Sequence, residues 1–177
     1  IFEPLMIKLL PFLLGSELKA QGIDINLLVS AEASAGIQGF IGDVYQIIPI
    51  VLAFAFGNYF SKEITKQTVI IPLTKGSSLI DVFLSKILVL MVAVVGTHFL
   101  AGSINFMYSN VIFSESPVAF STFMLNHFYS ALVLMHFISV LMLVDVWLSK
   151  GYISSLVTLG YFFILFEIGR ASCWERL

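Results

Sequence analysis

Charged residues are scarce: Asp, Glu, Lys and Arg make up 11% of the 177 residues, where a soluble domain carries roughly 25%. Hydrophobic residues reach 59% and the mean hydropathy is +1.00. Polar surface sufficient to cover such a chain does not exist, so lipid is expected to solvate much of its length. Cysteine is nearly absent. The single Cys173 excludes an intramolecular disulfide and any zinc cluster built on several cysteines. No G-x-x-x-x-G-K-[ST] occurs, and Lys75-Gly76-Ser77 holds the lysine and glycine in the wrong order, so the chain is not expected to bind ATP itself. No H-E-x-x-H is present and no histidine pair has metal-ligand spacing, so neither a metal nor a bound cofactor is expected. The net charge of -2 gives no sign of nucleic-acid binding. The first residue is Ile1, and no basic stretch precedes an apolar run. No signal peptide is read, and the chain is expected to begin part-way through its gene product.

What is there is apolar helix. About 20 apolar residues cross a bilayer. Segments 41–60, 87–108 and 123–144 meet that length, and a further segment, 152–166, starts a span and falls short. Pro49 lies inside the first of these, where neighbouring helices can satisfy the carbonyl it frees. The expected fold is all-α, a polytopic transmembrane bundle truncated at both ends. Residues 1–40 form an external segment. Within it Phe2, Leu5, Met6, Leu9, Leu10, Leu13 and Leu14 recur at helical spacing, which predicts a short amphipathic helix at an interface or the tail of a span whose start is missing, and 22–39 reads as a Gly/Ser/Ala-rich loop. Residues 41–166 form the membrane domain, in which 109–122 reads as a second external loop.

Orientation follows from the lysines. Lys62, Lys66, Lys75 and Lys86 lie between the first two spans and Lys150 between the last two, while 109–122 has no Lys or Arg. The positive-inside bias predicts that 61–86 and Lys150 face the cytoplasm. The end of the chain is set apart. The run EIGRASCWERL over 167–177 resembles the in-frame translation of a common sequencing adapter, with Trp174 and Leu177 departing from it. It is read as a non-native tail, which removes Cys173 and both arginines from functional argument.

The long polar stretch 61–86, SKEITKQTVIIPLTKGSSLIDVFLSK, is where a soluble partner would meet the chain. Ile64, Thr68 and Ile71 lie on one helical face and Lys62, Glu63, Lys66 and Gln67 on the other. Glu63 and Lys66 can pair at i, i+3. Pro72 predicts a break, Lys75-Gly76-Ser77-Ser78 a turn, and Ser78 with Asp81 a capping box for a second helix.

Here the chain resembles the permease subunits of type-2 ABC transporters. Members often carry, after the second span, an acidic residue, a Gly-Thr pair, a leucine-rich run, Pro-x-Ser-Arg and a closing Gly-Lys. Laid without gaps, Glu63, Thr68, Ser78 and Lys86 fall on the acidic, threonine, serine and lysine positions. Gln67 replaces the first Gly, Gly76 the Pro, Leu79 the Arg and Ser85 the second Gly. The resemblance implies a permease of the bacterial cytoplasmic membrane, not itself an enzyme, that moves a substrate and works with a separate ATP-binding ATPase subunit and a second permease copy or paralogue. By that resemblance Glu63, Lys66, Thr68, Ser78 and Lys86 belong to the element that couples to the ATPase, with ATP held on the partner.

Two other readings come from different classes. One is an intramembrane enzyme using His127, His136 or Asp145, because ionisable groups in a span are functional candidates. The other is a non-catalytic membrane scaffold. His127 and His136 are nine residues apart, on opposite faces of a helix. Helix–helix hydrogen bonding is the simpler role for His98, His127 and His136, and Asp43 and Asp145 read as solvated or paired ends of spans.

Overall fold

A computed structural model describes residues 3–20, 32–115, 117–148 and 150–174. Among these every regular element is a helix, and there are no strands. The helices are α1 (Glu3–Ala20), α2 (Ala33–Phe56), α3 (Ser61–Thr65), α4 (Ile70–Thr74), α5 (Leu79–Ile112), α6 (Phe120–Leu148) and α7 (Gly151–Trp174). Three helical stretches, Ala33–Thr65, Leu79–Ile112 and Phe120–Leu148, are long and apolar enough to cross a membrane. The apolar part of α7, Tyr152–Ile168, is shorter, as the sequence predicts.

The helices outrun the predicted segments. α5 has 34 residues, about 50 Å at ~1.5 Å per residue, against a hydrocarbon layer of about 30 Å. The polar residues from Leu79 to Lys86 therefore continue the apolar segment in the same helix. The loop predicted over 109–122 shrinks to 113–119, because α5 runs on through Ile112 and α6 starts at Phe120. Asn110 holds this loop: its Oδ1 accepts from Val118 N–H at 2.9 Å. The loop predicted over 22–39 is corrected in part. Residues 22–31 lie outside the described residues, whereas Ala33 to Gly39 open α2. Small residues read as loop in isolation, but here they permit close packing. A Cβ at Gly36 would lie 2.9 Å from Pro4 Cγ and 3.0 Å from Ser109 Oγ. The 167–177 tail is helical as far as Trp174, and 175–177 lie outside the described residues.

The chain divides into two compact units, one of residues 1–45 and 96–131, the other of 46–95 and 132–177. In the first, Ala33, Ile37 and Val44 of α2, Phe113, and Phe123 of α6 are buried. In the second, Leu52 and Ala53 of α2, Leu90 of α5, Phe137 and Leu141 of α6 and Phe162 of α7 form the core. Ser155 Oγ donates to the Ala53 carbonyl at 2.6 Å, tying α7 to α2. Gly57 makes that approach possible, since a Cβ there would overlap Ser155 Oγ.

Candidate functional site

The stretch 61–86 folds as helix, turn, helix, turn, and then the first turns of α5. Its beginning is held by a residue from far along the chain. Asp145 of α6 is 0% exposed. Its carboxylate accepts from Phe60 N–H at 2.8 Å, from Ser61 N–H at 3.1 Å and from the Ser61 hydroxyl. Phe60 supplies no cap of its own, so Asp145 caps α3 from another helix. A carboxylate suits this position because the first N–H groups of a helix have no partner within it and carry partial positive charge. Asp145 reads from sequence as a solvated or paired end of a span; it is paired and buried, and it anchors the start of α3. The +84 residue separation from Ser61 hid this role, which no local pattern reveals.

α3 ends at Thr65, with Lys66 as its C-cap and Gln67 just beyond, not at Pro72. Gln67 has φ +59°, the conformation glycine adopts most readily. Around it Gln67 N–H donates to the Ile64 carbonyl at 3.0 Å and Thr68 N–H to the Glu63 carbonyl at 3.1 Å. This pair of bonds is a Schellman C-cap. The Thr68 hydroxyl also donates to the Glu63 carbonyl, at 3.3 Å. Pro72 is the third residue of α4 and does not break it. The N–H it lacks is one that a first turn leaves unpaired anyway. A second Schellman cap closes α4: Gly76, at φ +92°, donates to the Leu73 carbonyl and Ser77 N–H to the Pro72 carbonyl. The predicted capping box then starts α5. Ser78 N–H donates to Asp81 Oδ2 at 3.0 Å and Asp81 N–H to Ser78 Oγ at 3.1 Å. Asp81 lies ahead of the predicted 87–108 span, and the hydrogen bonds from Ser78 hold its carboxyl below the usual carboxylate range. A depressed carboxylate contributes above its unfolded pKa and is lost as pH falls through the folded value, so the box is intact at neutral pH.

The two ends of the stretch meet. Lys86 Nζ donates to Glu63 Oε1 at 2.7 Å, closing a loop of 23 residues. The same ammonium lies 4.7 Å from the centroid of the Tyr59 ring. Glu63 thus takes Lys86 as its partner rather than the Lys66 predicted from i, i+3 spacing, and Lys66 is exposed. With side chains 18% and 33% exposed, the pair contributes about 1 kcal/mol or less. Its value is geometric, since it fixes α3 against the base of α5. Of the predicted site residues, Glu63, Thr68 and Lys86 are brought together around the C-terminus of α3, Ser78 sits at the cap of α5, and Lys66 faces outward. Ile64, Ile70 and Ile71 are exposed beside Lys62, Lys66 and Lys75.

A second polar group is buried in the unit of residues 1–45 and 96–131. His98 and His127 stack with centroids 5.1 Å apart. Phe40 lies 6.0 Å from the first and 5.7 Å from the second. The approach needs Gly102, where a Cβ would fall on the His127 ring. His127 Nδ1 lies 3.1 Å from the Phe123 carbonyl. His127 Nε2, both nitrogens of His98, the Asn105 amide and the hydroxyls of Ser109 and Ser130 have no hydrogen-bond partner among the described residues. Each such group costs about 1–3 kcal/mol when buried. His136 is different: its Nε2 lies 3.1 Å from the exposed-side Tyr161 hydroxyl. Among the described residues no hydrogen bond joins His127, His136 and Asp145, and no cluster of three or more His, Cys, Asp or Glu could hold a metal ion.

No family model matches the chain, and no curated protein or solved structure matches it.

Proposed function

We propose that this chain is a membrane-spanning permease subunit of ABC-2 type, whose 61–86 element receives force from a separate ATPase and passes it into the spans. Three helices of spanning length and the lysine bias support a multi-pass protein of the cytoplasmic membrane with 61–86 inside. The observation that carries the reading is the closed loop from Glu63 to Lys86. With α3 held by Asp145 at Ser61 and tied by Glu63 to Lys86 at the base of α5, the two short helices move with the helices they join. That is what force transmission requires, because a slack linker would absorb the displacement. Gln67 adds support. It occupies the position at which the resembled family carries glycine, and its backbone has the positive φ that glycine favours.

The exposed surface of this element combines three lysines with three isoleucines. It suits a partner groove that is apolar at its floor and acidic at its rim. The test uses the full-length chain and the ATPase encoded beside its gene. Lys66→Glu with Lys75→Glu should cut co-purification of the ATPase at least tenfold, about 1.4 kcal/mol, while membrane insertion is unchanged. Reversal at Glu63 should also weaken association, by releasing Lys86. Undiminished co-purification, or mapping of Lys66 and Lys75 to the outer face of the cell, removes the reading.

A further inference from the structure

His136 and Tyr161 form a polar pair on a face that the fold leaves open. His136 lies eight residues before the end of the apolar segment 123–144, and Tyr161 nine residues after the start of 152–166. At ~1.5 Å per residue the two sit about 12 and 14 Å in from the lysine-bearing side, near the middle of a hydrocarbon layer of about 30 Å. Both side chains are exposed. So are the apolar residues that share their faces: Leu132 and Leu143 beside His136 on α6, Val157 and Leu165 beside Tyr161 on α7. Ionisable and polar groups at this depth face other helices or water, not lipid tails.

The bond between the two residues does not exhaust them. His136 Nε2 lies 3.1 Å from the Tyr161 hydroxyl. If the phenol donates, the imidazole keeps an N–H at Nδ1 and the phenol oxygen keeps an acceptor site. If Nε2–H donates, the phenol keeps its O–H and Nδ1 keeps its lone pair. Either tautomer leaves one donor and one acceptor, and neither residue has a further hydrogen-bond partner among the described residues. Lipid tails supply none.

We propose that this face of α6 and α7 docks a second copy of the chain, with each copy's His136 hydrogen-bonded to the other copy's Tyr161. A two-fold contact is reciprocal: residue i meets j and j meets i. An axis along the membrane normal also keeps every residue at its own depth, so the two partners must stand at the same level. His136 and Tyr161 do so within about 2 Å, and the donor left over on one copy meets the acceptor left over on the other, twice. Cross-helix hydrogen bonds and side-chain packing are what hold helices together in lipid. The inference rests on the spanning topology of the reading above and assigns a surface to its second copy. The ATPase enters none of its tests, so either proposal can fail alone.

The test is step-counting photobleaching of the full-length chain, one dye per copy, in liposomes over a range of protein densities. Two-step traces should rise with density. Tyr161→Phe removes a single hydroxyl and preserves the fold, yet it loses two bonds per dimer. It should weaken association about five- to tenfold, as should His136→Leu. The double variant should do no worse than either, because all three remove the same bonds. Leu100→Ala, on the exposed exterior of α5, should change nothing. In a Cys173→Ser background, one copy with Leu132→Cys should be bridged by a bismaleimide to another with Leu165→Cys, two positions at about 18 and 20 Å depth. Single-step traces at every density would leave the pair facing lipid and overturn the proposal. Association indifferent to Tyr161→Phe and His136→Leu, or weakened equally by Leu100→Ala, would place the contact elsewhere and overturn it too.

Discussion

Asp145 is where the architecture is most exposed to a single substitution. Its carboxylate meets three donors in a fully buried site. Hydrogen bonds to a charged group contribute about 1.5–3 kcal/mol each, and a donor left buried without a partner costs a further share. Asp145→Ala strands two backbone N–H groups and a hydroxyl, and should destabilise the fold by about 3–5 kcal/mol. Asp145→Asn keeps one acceptor oxygen and should lose about 1.5–3 kcal/mol. Ser61→Ala removes one donor and should lose about 1–2 kcal/mol. The assay is SDS-induced unfolding in mixed micelles, followed by tryptophan fluorescence. In the double variant Ser61→Ala, Asp145→Asn, the two losses should overlap, because each removes the same hydroxyl–carboxylate bond. Losses that add to within about 0.5 kcal/mol would refute the anchor. Tryptic cleavage after Lys62 and Lys66 supplies an independent readout. Freed from its cap, α3 should open and these sites should be cut faster in Asp145→Asn than in the parent, whereas a merely global loss would accelerate all sites alike.

Two further substitutions test local geometry. Gln67→Gly relieves a left-handed conformation that costs a side-chain-bearing residue about 1–2 kcal/mol. After the added freedom of the unfolded chain is subtracted, it should stabilise by about 0.5–1 kcal/mol in the same unfolding assay; a loss of stability would show that the cap at 67 is misplaced. Gly102→Ala drives a methyl into the His127 ring. It should cost about 1–3 kcal/mol through displacement of the stacked pair, and an unchanged unfolding midpoint would show that His127 does not pack against Gly102.

Composition and apolar run length were enough to determine an all-helical chain with three stretches of spanning length, because a helix is the unit that satisfies its own backbone without water. The capping box at Ser78 and Asp81 was equally legible, since both partners lie within one turn. Periodicity misplaced the break in 61–86, because proline tolerance depends on where a helix starts, and α4 starts just after the left-handed turn at Gln67, which periodicity does not mark. Tertiary packing likewise pairs Glu63 across 23 residues with Lys86 rather than within its own helix. The stacking of His98 on His127 and the close approach of Pro4 and Ser109 to α2 depend on Gly102 and Gly36, which let another side chain come close. A glycine in a sequence does not say whether it bends the chain or makes room for a neighbour. Local chemistry fixes what each segment can become, and only the partner across the fold decides which of those choices it keeps.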